Sequence, residues 1–168
     1  MGDYPKALSS HENALAIRQS LPPNHPDLGA SHNNIGLVYY KMGDYRKALL
    51  SHEKALTIKL QSLPSNHPDL AMSYNNIGAV YYKMGNYPEA LSSHANALAI
   101  RQKSLPVNHS DLGGSYNNIG VVHENMNDYS KAHSFYERAV QIGLQSLPTN
   151  HPTLEQWRRN LERIKKKL

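Results

Sequence analysis

Ten histidines and a recurring pair of asparagines are the residues of this chain most able to do chemistry. A neutral imidazole is a common metal ligand and a proton carrier near pH 7. His25, His67, His109 and His151 recur every 42 residues, and His11, His52 and His94 form a second series whose next place is held by Tyr136. Packed neighbouring helices lie ~8–10 Å apart, whereas a zinc–nitrogen bond is ~2.0–2.1 Å. A ladder at repeat spacing therefore cannot gather three ligands on one ion. The first series is expected at helix starts, the second as half-buried space fillers, and no metal or other cofactor is implied. Cysteine is absent, which removes disulfides, thiolate metal sites and cysteine nucleophiles. No Gly-x-Ser-x-Gly, His-Glu-x-x-His or phosphate-cradling glycine loop occurs. Carboxylates are few, and most fall at helix starts or exposed helical positions. The chain is expected not to be an enzyme.

The asparagines are more informative. Asn33, Asn34, Leu37, Tyr40 and Lys41 fall at i, i+1, i+4, i+7 and i+8, on one flank of a helix. Asn75, Asn76, Ala79, Tyr82 and Lys83 repeat the set, and Asn117, Asn118, Val121, Glu124 and Asn125 repeat it with changes. Asparagine competes with the helix backbone for hydrogen bonds, so two in succession cost helix stability. A compensating interaction is expected. The pairs either bond between neighbouring helices, or line a groove and hold a ligand's main chain, or are simply inherited with the duplicated unit.

These residues are positioned by an internal repeat. Leu-Pro-x-Asn-His begins at Leu21, Leu63, Leu105 and Leu147, and residues 21–62 and 63–104 agree at 27 of 42 positions. Within a unit, Ile35, Val38, Tyr39 and Met42 make one apolar stripe at helical spacing. Gly43-Asp44 interrupts it, and Tyr45, Ala48, Leu49, His52, Ala55 and Leu56 make a second. The spacing predicts a helix A over 26–42 and a helix B over 44–61. Pro68 suits a first helical turn, and Asn66 with Asp69 has capping-box spacing. Short connectors leave consecutive helices antiparallel. The expected organisation is one repeat domain over residues 1–168. It comprises a lone helix B in 1–20, full repeats at 21–62, 63–104 and 105–146, and a capping helix in 147–168. Met1-Gly2-Asp3-Tyr4 aligns with Met42-Gly43-Asp44-Tyr45, which suggests an excerpt from a longer array.

The net charge of +5 is concentrated at one end, where residues 155–168 carry six basic and two acidic side chains. A nucleic-acid binder would spread such charge along a face, so nucleic acid is not an expected partner. No stretch approaches the ~18–20 apolar residues of a membrane span. The first residues also lack a basic-then-apolar leader, which points to a cytoplasmic protein without a membrane role.

Ile35-Gly36-x-x-Tyr39 followed by Gly43, Tyr45, Ala48 and Ala55 resembles the tetratricopeptide signature. The longer unit, with Asn-His-Pro-Asp-Leu opening helix A and Asn-Asn-Ile-Gly within it, resembles the kinesin light chain type of that repeat. The resemblance implies an all-α solenoid, a right-handed superhelix of antiparallel helix pairs whose A helices line a concave surface. It also implies a protein-interaction module that binds extended peptide segments of partner proteins, and Lys41 and Lys83 would favour acidic ones. The groove would be formed by Asn33, Asn34, Leu37, Tyr40, Lys41, Asn75, Asn76, Ala79, Tyr82, Lys83, Asn117, Asn118, Val121, Asn125 and Asn160. The alternative is a structural spacer that self-assembles through its uncapped first helix and holds no groove ligand.

Overall fold

A computed structural model describes residues 3–168. Among them are eight helices and no strand: α1 (Tyr4–Arg18), α2 (Pro26–Met42), α3 (Tyr45–Ser62), α4 (Pro68–Met84), α5 (Tyr87–Ser104), α6 (Ser110–Asn125), α7 (Tyr129–Ser146) and α8 (Pro152–Lys165). Each packs chiefly on its neighbours in sequence, and the closest pairs are α2 with α3, α4 with α5 and α6 with α7. This is the expected α-solenoid. Helices α2, α4, α6 and α8 are of type A, and α1, α3, α5 and α7 are of type B.

The helix starts explain the first histidine series. His25, His67, His109 and His151 are the N-caps of the four A helices. Each Nδ1 accepts the backbone N–H two residues on, from Asp27, Asp69, Asp111 and Thr153, at 3.2 Å. The cap is thus the histidine, not Asn66, because only His67 stands next to the first helical residue. Proline follows in α2, α4 and α8, where no N–H is needed. Gly43 and Gly85 end α2 and α4 in the left-handed region, at φ 81° and 80°.

The A–B crossing is built on a glycine facing a ring. A Cβ on Gly36 would lie 2.8 Å from the His52 ring, one on Gly78 2.8 Å from His94, and one on Gly120 2.8 Å from Tyr136. Small residues beside these rings complete the contact: Ala48, Ala55, Ala90, Ala97, Ala132 and Ala139 are all buried. His52 and His94 are fully buried rather than half-buried, at 1 % and 4 % exposure. Their Nδ1 atoms have no hydrogen-bond partner. Burial, with a smaller push from a nearby cation, lowers both imidazoles to a pKa of about 4.

The junctions between repeats use a second device. Arg18 donates to Ser31 Oγ at 2.7 Å, Lys59 to Ser73 Oγ at 3.1 Å, and Arg101 to Ser115 Oγ at 2.7 Å. At the last junction both partners change together, to Gly143 and Trp157. A Cβ on Gly143 would meet Trp157 at 3.0 Å, so the indole occupies the space the cation and serine hold elsewhere. Trp157, Leu161 and Ile164 then join Ala132, Tyr136, Ala139 and Val140 in one core cluster.

Candidate functional site

The four A helices are tied together by the asparagine pairs. Asn76 Nδ2 donates to Asn33 Oδ1 at 3.0 Å, Asn118 Nδ2 to Asn75 Oδ1 at 2.8 Å, and Asn160 Nδ2 to Asn117 Oδ1 at 2.9 Å. The second asparagine of each pair reaches the first asparagine of the preceding A helix. Two unlike ends of the amide make this possible, because one carbonyl oxygen and one NH₂ suffice for each bond. Asn75 and Asn117 retain their own NH₂ groups, and Asn76 and Asn118 retain their carbonyl oxygens. Asn33 and Asn160 are buried, at 7 % and 4 % exposure. Asn160 also accepts from Gln156 at 3.0 Å, so both ends of that amide are engaged. Asn34 is half-buried at the start of the series.

The other predicted residues fall beside this ladder. Ala79, Tyr82, Asn118 and Val121 line one cavity of about 140 Å³, together with Val122 and His94. Leu37 stands 41 % exposed one repeat away. Tyr40 lies edge-on to Tyr45 with centroids 5.7 Å apart, and Tyr82 lies 6.0 Å from Tyr87. Lys41 is exposed. Lys83 Nζ lies 6.0 Å from the Tyr82 ring. Asn125 Nδ2 donates to Tyr82 Oη at 3.1 Å and to the Val121 carbonyl at 2.8 Å, which ties α6 back to α4.

The third unit departs from this pattern at Glu124, which stands where Tyr40 and Tyr82 stand in the others. Arg163 of α8 grips its carboxylate with bonds of 2.9 and 2.7 Å, the Tyr136 hydroxyl donates at 2.8 Å, and Lys167 donates at 3.3 Å. These donors, Arg163 foremost, hold Glu124 down to a pKa of about 2. Burial, with the adjacent carboxylate, pushes the Tyr136 hydroxyl up. Sequence reasoning missed this cluster and the cation–serine pins. The pins had a visible signal, since Lys59 with Ser73 and Arg101 with Ser115 recur at the repeat period. Among the described residues no group of three His, Asp or Glu side chains could hold a metal ion. No described helix is long and apolar enough to cross a membrane.

The sequence profile of the tetratricopeptide repeat family matches residues 1–61 and 69–145. The chain belongs to the tetratricopeptide repeat family. No curated protein matches it in sequence. Solved structures do match this tetratricopeptide chain in fold. One is a Podosopora anserina protein of kinesin light chain type with nearly identical repeats, at 23 % identity and TM-score 0.84, covering 98 % of this chain and 79 % of that one. Another is BtubC (BKLC) from P. vanneervenii, at 26 % identity and TM-score 0.90, covering 98 % and 66 %. The N-terminal domain of stress-induced protein-1 from C. elegans matches at 22 % identity and TM-score 0.60, covering 82 % and 96 %. Repeats of the kinesin light chain-like type therefore account for this fold. As a class, tetratricopeptide solenoids generally mediate interactions between proteins.

Proposed function

We propose that this tetratricopeptide chain is an adaptor that holds an extended peptide segment of a partner protein against its row of A helices. The cavity lined by Ala79, Tyr82, Asn118 and Val121 carries the reading. It joins side chains of two neighbouring A helices beside the unspent ends of the ladder amides. Those ends, NH₂ groups on Asn75 and Asn117 and carbonyls on Asn76 and Asn118, can pair with a peptide group whatever side chain it bears. Leu37, Tyr40, Ala79, Tyr82 and Val121 then select ligand side chains. Lys41 and Lys83, with Lys166 just beyond α8 at the place that matches Tyr40 and Tyr82, favour acidic segments, and such binding weakens as salt rises. A cytoplasmic location belongs to the same reading.

Selection of random 12-residue peptides on the immobilised chain provides ligands for the test. The winners are titrated against wild type, against Ala79→Phe, which fills the cavity, and against Asn76→Ala with Asn118→Ala. Each lost hydrogen bond is worth ~0.5–1.5 kcal/mol, so the asparagine variant should bind about ten to a hundred times more weakly. If no peptide is enriched, or if both variants bind as wild type does, the groove reading fails. A second reading is self-association through α1. This helix buries none of its residues, whereas α5 buries Ala90, Ser93, His94 and Ala97.

A further inference from the structure

A larger cavity, of about 420 Å³, opens beside the ladder where α6 meets α8, and Asn75, Arg101, Asp111, Gly114, Asn117 and Trp157 line it. Its existence traces to two adjacent glycines with different surroundings. A Cβ on Gly113 would lie 2.6 Å from the Trp157 ring, so that glycine makes room for the indole. A Cβ on Gly114 would meet only Trp157 Cζ2, at 4.0 Å. The matching places in α2 and α4 are Ala30 and Met72, so only this junction leaves the position bare.

The walls have a definite polarity. The Oδ1 atoms of Asn75 and Asn117 already accept from Asn118 and Asn160, which leaves two NH₂ donors at the cavity. Arg101 is fixed by bonds from Nη1 to Ser115 Oγ at 2.7 Å and to the Asp111 carbonyl at 3.2 Å. A guanidinium has five N–H groups, so donors remain. The Asp111 carboxylate is an acceptor-only group, and among the described residues no ion pair or hydrogen bond from another side chain engages it. The site therefore offers several donors, one anionic acceptor in Asp111 beside neutral acceptors on Asn118, Ser110 and Thr153, and charges that cancel, above the apolar indole of Trp157.

We propose that this cavity binds the side-chain carboxamide of a glutamine in the peptide. The carbonyl accepts from Arg101 and the ladder amides, the NH₂ donates to Asp111, and the methylene stem lies on Trp157. Glutamate would satisfy Arg101 but bring a second anion to Asp111. Lysine would do the reverse. Leucine would desolvate polar walls without replacing their hydrogen bonds. The peptide's course along the ladder rests on the groove reading, while the side-chain preference can be measured separately.

Trp157 is the only tryptophan of the chain, so its indole N–H resonance reports on the cavity without ambiguity. The probes are blocked five-residue alanine peptides with glutamine, glutamate, lysine or leucine at the centre, titrated to millimolar concentration. The glutamine probe should move the Trp157 resonance saturably, with a Kd roughly tenfold below those of the other three. Gly114→Met, which restores the residue type of Met72, should abolish the response while the circular dichroism melt stays unchanged. Asp111→Asn should bring the glutamate probe to the affinity of the glutamine probe. Arg101→Lys keeps the serine pin, as Lys59 does with Ser73, and should weaken the glutamine probe; it serves even if Gly114→Met folds poorly. Equal responses to leucine and glutamine, an undiminished response in folded Gly114→Met or in Arg101→Lys, or continued rejection of glutamate by Asp111→Asn would each overturn the proposal. A selected groove ligand that contains glutamine and binds wild type and Gly114→Met equally would also end it, and would leave the groove reading standing.

Discussion

Position 78 shows how one side chain sets the geometry of a repeat. Glycine is required there by the His94 ring, 2.8 Å from where a Cβ would sit, rather than by a tight approach to Ala90. Gly78→Leu should therefore overpack the crossing and cost ~1–3 kcal/mol, seen as a lower thermal midpoint. An unchanged melt would mean that the ring can move aside. The same rings make stability depend on pH. His52 and His94 titrate near 4 when folded, below the 6.5 of an exposed histidine, so the unfolded chain binds more protons between those values. Stability from this source is complete above pH ~6.5 and drains away as pH falls toward 4, by roughly 3 kcal/mol per histidine at pH ~4. Glu124 acts lower on the scale: its stabilisation is lost only as pH falls below the ordinary carboxylate range toward 2. Urea midpoints at pH 7.5, 6 and 5 should fall steadily, and a flat profile would show that the folded state accommodates the protonated rings.

Helix α8 is anchored differently from the other A helices. α8 replaces the cation–serine pin by an indole laid between Gly113 and Gly143 and adds the Arg163–Glu124 grip. Trp157→Ala empties that space and should cost about 3–5 kcal/mol, with hydrogen-exchange protection lost first in residues 152–165. Protection that persists there would place the anchor in Leu161 and Ile164 instead. Most of this architecture was legible in the chain. The period of 42 and the two apolar stripes located the helices, because helix packing acts on residues three and four apart. The predicted helix A over 26–42 is α2, and the predicted helix B over 44–61 is α3 within a residue or so at each end. The cap at His67 was less legible, since an imidazole accepting from the backbone is uncommon beside asparagine or aspartate. The partners of the asparagines were hidden for a different reason. Whether an amide faces a ligand or the next helix depends on how neighbouring A helices are offset, which no repeat pattern records. Ala79, Tyr82, Asn118 and Val121 did meet in one cavity, because residues at matching places on adjacent A helices must be neighbours.

At the scale of the whole molecule, the first and last described helices are not equivalent. α8 is basic on its outer positions and buries Leu154, Trp157, Leu161 and Ile164. α1 buries nothing and packs chiefly on α2, whereas α3, α5 and α7 each have an A helix on both sides. The difference is sharpest at one repeated isoleucine: Ile17 is 78 % exposed, and Ile142, at the matching place of α7, is 3 % exposed. Tyr4 is also exposed, at 37 %, with Ala7, Leu8, His11, Ala14 and Leu15 only half-covered beside it. Apolar surface of this kind gains by finding a partner, at ~25 cal/mol per Å² covered. A second copy docking there is expected to give reversible association that strengthens with concentration. If α1 meets its own counterpart, the contact closes at a dimer; if it meets a different surface, chains continue to add. Sedimentation velocity across a hundredfold range of concentration separates these outcomes. Ile17→Glu puts a charge on that face at a position already open to solvent, so it should shift the protein to monomer while leaving its melt intact. A wild-type chain that sediments as a strict monomer at the highest concentration would show that the exposed face of α1 is tolerated without a partner.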